Sequence, residues 1–238
     1  MAVDLETLLA VQDRDIELDR LDLRRRELPE RAVIADIEKR VSAIDTELRQ
    51  VGAERDELVG RQSTLERDVA SAVERVHQIE ARMYGGQVSA SRELQAMADE
   101  VQSLQRRRSV LEDQVVDLME QVEPVELTMA GLESQLDALG ADALRVKQDL
   151  ARAEKEIDAE MGAEQKARAD LANALPAELS TRYERIRRRL GGVGAARLVG
   201  GSCGGCHLSL PAMELDRIRH ARPDEVLVCD QCGRILVP

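Results

Sequence analysis

Residues 94–157 read LQAMADEVQSLQRRRSVLEDQVVDLMEQVEPVELTMAGLESQLDALGADALRVKQDLARAEKEI. Steps of three and four residues in alternation lead from Leu94 to Ile157 through 19 positions, and only Arg108 among them is polar. A spacing of 3.5 held over so many turns keeps one stripe of a helix against a partner helix and imposes a left-handed supercoil. The partner lies upstream. The same steps from Ile34 to Met83 cross 15 positions, of which only Arg55 and Gln62 are polar. Polar residues on such a seam fix register more often than they bind ligands.

Between the two runs stands Tyr84-Gly85-Gly86-Gln87-Val88-Ser89. Gly85 and Gly86 can take left-handed dihedrals and end the first helix. Ser89 or Ser91 can cap the second, with Glu93 near its positive end. So short a loop predicts an antiparallel hairpin. Its second helix, about Ala90–Asn173, would be ~125 Å long at 1.5 Å per residue. Pro29 and Pro124 each remove a backbone donor and predict kinks. The heptads pass Pro124 without a slip, which points to a kink rather than a break, and an apex-centred pairing puts Gly52-Ala53 across from it. Before Pro29 the apolar residues, Leu5, Leu8, Leu9, Val11, Ile16, Leu18, Leu21, Leu23 and Leu28, cover more than one seam. That segment is expected to touch a further element, the C-terminal domain. The organisation read from the chain is a coiled-coil hairpin over 1–175, a basic amphipathic helix with a glycine hinge over 176–194, and a small domain over 195–238.

Composition agrees with a thin seam. There is no Phe or Trp, and Tyr84 and Tyr183 are the two tyrosines. Large aromatics dominate deep cores, so a thick globular core is not expected. Charged residues make up 34% of the chain, a profile of long helices. The net charge of -12 makes the whole chain a poor polyanion binder. That average hides a local excess: residues 176–238 hold 10 Arg against 7 acidic residues. No stretch approaches the ~20 apolar residues of a membrane span. The acidic N-terminus lacks the layout of a signal peptide, and all four Cys fall within 203–232. These features predict a soluble cytoplasmic protein with reduced thiols.

Pro176 ends the long helix and opens another, Ala177–Leu190, with Leu179, Tyr183, Ile186 and Leu190 on one face. Arg182, Arg185, Arg188 and Arg189 occupy the rest, with Arg187 near the seam. Gly191-Gly192-Val193-Gly194 follows as a hinge. Strands are expected over 195–199, 226–228 and 233–237, with a short helix after Leu210-Pro211.

Cys203-Gly-Gly-Cys206 and Cys229-Asp-Gln-Cys232-Gly233 form two Cys-x-x-Cys knuckles, 22 residues apart. Two residues between thiolates let both sulfurs reach one ion while amides of the turn donate to sulfur. Two such pairs predict a closed four-thiolate site for one structural Zn2+. With every position filled by protein, no water is left to activate, which argues against metal catalysis. A thioredoxin-like motif needs one pair in a βαβ setting. A four-cysteine iron–sulfur cluster lacks any visible electron-transfer setting. His207 adjoins Cys206 as a neighbour rather than a ligand, and His77 and His220 read as solvent-facing.

These motifs together resemble a bacterial family of long coiled-coil hairpin proteins with a C-terminal four-cysteine zinc ribbon. The resemblance rests on the apex with Arg92-Glu93-Leu94-Gln95-Ala96 after it, on Cys203-Gly-Gly-Cys206 followed by Leu210-Pro211, and on Cys229-Asp-Gln-Cys232-Gly-Arg-Ile-Leu236. It implies a mainly α fold, a helical hairpin carrying a ribbon of short strands and a short helix, with zinc on Cys203, Cys206, Cys229 and Cys232. Members are described as nucleic-acid-binding proteins or protein-partner adaptors, and the resemblance supplies no active site.

The chain carries no phosphate-binding Gly-rich loop with Lys, no Gly-x-Ser-x-Gly and no His-Glu-x-x-His. The function expected is therefore a non-enzymatic adaptor that docks protein partners, with Tyr84, Gly85, Gly86 and Gln87 at the apex as the candidate contact. The alternative is an RNA- or DNA-binding regulator using Arg182, Arg185, Arg187, Arg188, Arg189, Arg197 and Arg234. Only Tyr183 in that region could stack a base, so recognition would lean on phosphate and be salt-sensitive. A chromosome-organising hook would need a nucleotide head, which the sequence lacks. The hairpin fills its own seam, which favours a monomer slightly over a dimer.

Overall fold

A computed structural model describes residues 5–86, 88–222 and 225–238. Among the described residues five helices come in order: α1 (Leu5–Arg26), α2 (Pro29–Tyr84), α3 (Ser91–Asn173), α4 (Ala177–Arg189) and α5 (Ala212–Arg219). Three short strands complete it: β1 (Ala195–Val199), β2 (Ser202–Cys203) and β3 (Ile235–Val237). The chain divides into two compact units, residues 33–145 and residues 1–32 with 146–238.

In the first unit α2 and α3 run antiparallel. Arg75 pairs with Glu100 at 3.0 Å near the turn, and Arg55 pairs with Glu126 at 3.4 Å further down. All 15 seam positions of the first run are buried or half-buried, and so are those of the second run except Arg108. Arg108 is exposed and bonds Glu112 one turn along its own helix. Arg55 reaches Asp56 and Glu126, and Gln62 reaches Glu66. The polar residues near the seam thus lean outward to acidic partners while Leu58, Leu118 and Val122 close a buried cluster beneath them.

The two prolines act differently. Pro29 stands at the first position of α2, where a missing N–H costs nothing, and α1 ends before it. Pro124 lies inside an unbroken α3. Gly52 lies beside Met129 rather than Pro124; a Cβ there would stand 3.9 Å from the Met129 Cε. At the turn, Gly85 is required because a Cβ would come within 2.7 Å of the Ala81 carbonyl oxygen, and Gly86 has φ +73°. The residue before α3 is Ala90, whose carbonyl accepts from Glu93 and Leu94 N–H. Ser91 is already helical, so neither serine takes the cap position.

In the second unit α1 lies along the last third of α3. Arg14 pairs with Glu164, Arg24 with Glu160, Arg25 with Asp158 and Arg31 with Glu154. Leu21, Leu28 and Ile157 are buried between the two helices. Each exposed ion pair adds little, but basic residues on α1 and at the start of α2 against acidic residues on α3 set the register. Leu8 and Val11 continue into a core with Leu179, Tyr183, Ile186, Ala195 and Ile235. The expected contact between the N-terminal segment and the C-terminal domain is thereby present.

The sheet order is β2-β1-β3. β1 pairs antiparallel with β2 and parallel with β3, Ala195 opposite Ile235 and Ala196 opposite Leu236. Residues 226–228 do not form the expected strand. Val228 makes an isolated bridge to Ile235, and the Leu227 carbonyl accepts from Leu236 N–H. The strand that pairs instead is β2, the two residues entering the first knuckle. No helix among the described residues is long and apolar enough to cross a membrane.

Candidate metal centre and basic face

The first knuckle hangs from the β1–β2 hairpin. Gly200 and Gly201 turn it with φ of +57° and +83°. Gly204 N–H donates to the Arg197 carbonyl at 2.9 Å, leaving no room for a Cβ there. The knuckle closes when His207 N–H donates to the Cys203 carbonyl at 2.8 Å. The second knuckle repeats this: Gly233 N–H donates to the Cys229 carbonyl at 2.7 Å. His207 and Gly233, each following the second Cys of its knuckle, have φ of +60° and +74°. His207 thus holds a left-handed turn position that the other knuckle gives to glycine, and its exposed side chain stands outside the sulfur cluster.

The four sulfurs lie within 4.8 Å of one another. Cys203 and Cys232 Sγ are 3.8 Å apart, and Cys206 and Cys229 Sγ are 3.9 Å apart. Four sulfurs at ~2.3 Å from a tetrahedral ion would sit about 3.8 Å from each other. The cluster therefore fits one zinc ion held by these four residues, and is too open for disulfides. Burial raises the Cys203 thiol and pushes Cys229 up to about 12. Burial also opposes ionisation of Cys232, but hydrogen bonds from the Arg234 backbone and side chain, with those from Cys229 and Cys206, bring it down to about 7. A divalent cation would supply the charge that lets all four thiolates share one place.

Around this centre Ala196, Leu210, Ile218, Leu227 and Leu236 pack as a small core with Cys203 and Cys229. Residues 11–191 match the family model described as the CT398-like coiled coil hairpin domain, and residues 202–236 match the C4-type zinc ribbon domain. The chain belongs to the CT398-like coiled-coil hairpin family. It carries the C4-type zinc ribbon with its one structural zinc ion. An uncharacterised Mycobacterium tuberculosis protein is 32% identical over 231 residues, covering 97% of this chain and 94% of that protein. A solved Mycobacterium smegmatis structure is 25% identical with a TM-score of 0.87 over the whole of both chains. CT398 of Chlamydia trachomatis is 22% identical with a TM-score of 0.70, covering 98% of this chain and 96% of that one, a likeness of fold.

The CT398-like chain divides the seven arginines read from the sequence into two groups. Arg187 lies 3.0 Å from both carboxylate oxygens of Asp19 and 3.5 Å from Asp15. Arg197 makes a bidentate pair with Glu6 at 2.8 and 2.7 Å. Arg234 Nε donates to the Val193 carbonyl. These three hold α1, α4 and the ribbon together. Arg182, Arg185, Arg188 and Arg189 on α4 have no ion pair or hydrogen-bonded side-chain partner among the described residues. Tyr183 is not a stacking platform. It is 1% exposed, and its hydroxyl donates to Asp15 Oδ2 at 2.8 Å. The apex keeps Tyr84 exposed beside Gly85 and Gly86, while Gln87 lies outside the described residues. His77 is exposed on α2, and His220 faces Asp216 at the end of α5.

The residues that hydropathy could not single out are Gln12 and Asp15 of α1. Gln12 Oε1 accepts from Gly194 and Ala195 N–H at 2.9 and 2.6 Å. Asp15 accepts from Tyr183 and from Arg168 Nε at 3.0 Å. Arg168 also pairs with Glu184. The expected glycine hinge is pinned at its far end, because Gly194 is buried and a Cβ there would come within 2.8 Å of the Tyr183 ring. The only sequence signal of this arrangement is the broad apolar face of α1.

Proposed function

We propose that this chain is a non-enzymatic adaptor that docks protein partners through its hairpin apex, with the zinc ribbon as a closed structural module. The observation that carries the reading is Tyr84. It is 83% exposed at the turn, whereas the chain's other aromatic residue is buried. A chain with so few aromatic rings that holds one in solvent, on a tight two-glycine turn, presents the kind of anchor that dominates protein interfaces. Four protein sulfurs at the metal centre leave no open coordination position, which supports a structural role over a catalytic one. Reduced thiols at such a centre suit the cytoplasm.

Crosslinking capture from cells with wild-type protein and Tyr84→Ala tests this. The variant should lose partners that the wild type captures at the apex. Identical partner sets, or no protein captured by the wild type, would remove the adaptor reading. A second reading, nucleic acid held on α4, is favoured by the unpaired Arg182, Arg185, Arg188 and Arg189. It requires an affinity for RNA or DNA that falls steeply with salt.

A further inference from the structure

Three of the arginines left without acidic partners converge on one place. Arg182, Arg185 and Arg189 follow one another at i, i+3 and i+7 along α4 and so share a face. With Ile186, Val228 and Gly233 they line a groove of about 480 Å³ between α4 and the ribbon. Among the described residues no acidic side chain lines it. Gly233, in its left-handed turn, makes room for the Arg189 guanidinium: a Cβ there would stand 2.7 Å from the Arg189 Nη2. The groove is thus an apolar floor under three guanidinium groups, built into the second zinc knuckle.

We propose that this groove docks a short acidic peptide segment of a protein partner. Its carboxylates would pair with Arg182, Arg185 and Arg189, and an aliphatic side chain would lie over Ile186 and Val228. The proposal rests on the adaptor reading and names a second contact for it. Three features favour a peptide over nucleic acid. Guanidinium forks match carboxylates bidentately. The floor is aliphatic, and the one aromatic ring of α4 that could stack a base is buried against Asp15. The positive excess is local, in a chain of net charge -12. With a screening length of about 8 Å at physiological salt, a short segment meets only the local field, whereas a long polyanion also meets the acidic remainder.

The test uses the full-length zinc-loaded protein and three fluorescent probes in polarisation titrations at low salt. One is a six-residue peptide alternating glutamate and leucine, the second its glutamine–leucine counterpart, and the third a twelve-nucleotide single-stranded RNA. The acidic peptide should bind and the glutamine peptide should not. The triple variant Arg182→Glu, Arg185→Glu, Arg189→Glu should weaken the acidic peptide by about thirtyfold, from three exposed ion pairs at about threefold each. The triple variant Arg92→Glu, Arg106→Glu, Arg107→Glu, at exposed positions of α3, carries the same charge change and should bind as the wild type does. Arg185→Ala alone should give about a threefold loss without disturbing the fold. Four outcomes overturn the proposal: no peptide binding, equal loss in both triple variants, equal binding of the glutamine peptide, or binding of the RNA alone through the α4 arginines. Peptide binding does not involve Tyr84, so the groove can fail while apex-dependent capture persists, and the reverse.

Discussion

Asp15→Ala removes a carboxylate on which α1, α3 and α4 converge. Asp15 is 2% exposed, and it accepts from the buried Tyr183 hydroxyl and from Arg168 while lying 3.5 Å from Arg187. Truncation strands two hydrogen-bond donors and removes the charge facing Arg187. Breaking a buried charge pair costs about 3–5 kcal/mol, and the orphaned hydroxyl belongs to that same cost. At about 1.4 kcal/mol per decade, the lower figure corresponds to roughly a hundredfold increase in local opening.

Hydrogen exchange followed by mass spectrometry reads this by segment, because local opening is reported where it occurs. Amides of α1, α4 and residues 195–199 should exchange about a hundredfold faster in the variant, and those around Leu58 and Leu118 should not change. Asp15→Asn keeps an acceptor while losing the charge, and should fall between wild type and Asp15→Ala. In the double variant Asp15→Ala, Tyr183→Phe the stranded hydroxyl is gone, which should restore about 1 kcal/mol. Protection of α1 and α4 unchanged within about threefold would refute the reasoning, as would equal loss around Leu58.

Gln12→Ala strands two buried backbone N–H groups at residues 194 and 195; a loss of about 2–4 kcal/mol should appear as faster zinc transfer to a competing chelator. Stripping zinc should unfold the core around Cys203 and Cys229 together with the eight residues of α5, while α2 and α3 with 56 and 83 residues keep their helix; circular dichroism that falls in step with zinc release would contradict that separation. His207→Gly should leave zinc affinity intact and not destabilise the ribbon, since glycine suits φ +60°; a large fall in affinity would make His207 a ligand. Tyr183 is held protonated above its ordinary 10.0, first by burial and then by its bond to Asp15. The unfolded chain releases that proton near pH 10 while the folded chain keeps it, so the contribution is complete below pH 10 and declines above it. The advantage of wild type over Tyr183→Phe in urea titrations should therefore shrink as pH rises past 10, and a constant advantage would dismiss the linkage.

The hairpin was legible because a two-helix seam writes itself into sequence at one spacing, and every apolar residue of both runs is buried or half-buried. The metal centre was legible because thiolate spacing is set by the reach of one ion. The breaks in legibility share a cause. Gln12 and Asp15 look like solvated helix residues until α4 and residue 194 arrive from the other end of the chain to use them. Arg187, Arg197 and Arg234 are indistinguishable in sequence from Arg185 and Arg189, yet tertiary pairing withdraws them from the surface. Tyr183 read as an available ring because an apolar helix face does not say how deeply it will be covered. β2 is two residues long, too short for any alternation to mark it.

The pairing of β1 with β3 explains why a ribbon so small is tied in so many ways. Side chains alternate across a strand, and here the alternation separates two cores. Ala195 and Ile235 face Leu8, Val11 and Tyr183, whereas Ala196 and Leu236 face the core around Cys203 and Cys229. Three residue pairs of parallel ladder form the partition; the ribbon's own residues cover the face around the cysteines, whereas the other face is covered by α1 and α4. Small domains commonly need metal to fold. Zinc supports one face of this partition and α1 supports the other, with Arg197 reaching Glu6 and Gln12 holding residue 195 on the same side. The groove of Arg182, Arg185 and Arg189 borders on both supports, through Ile186 of the first core and Gly233 of the second knuckle. A ligand seated there would bear on the two elements that hold the partition in place, which is where binding can alter the ribbon's stability without touching the metal.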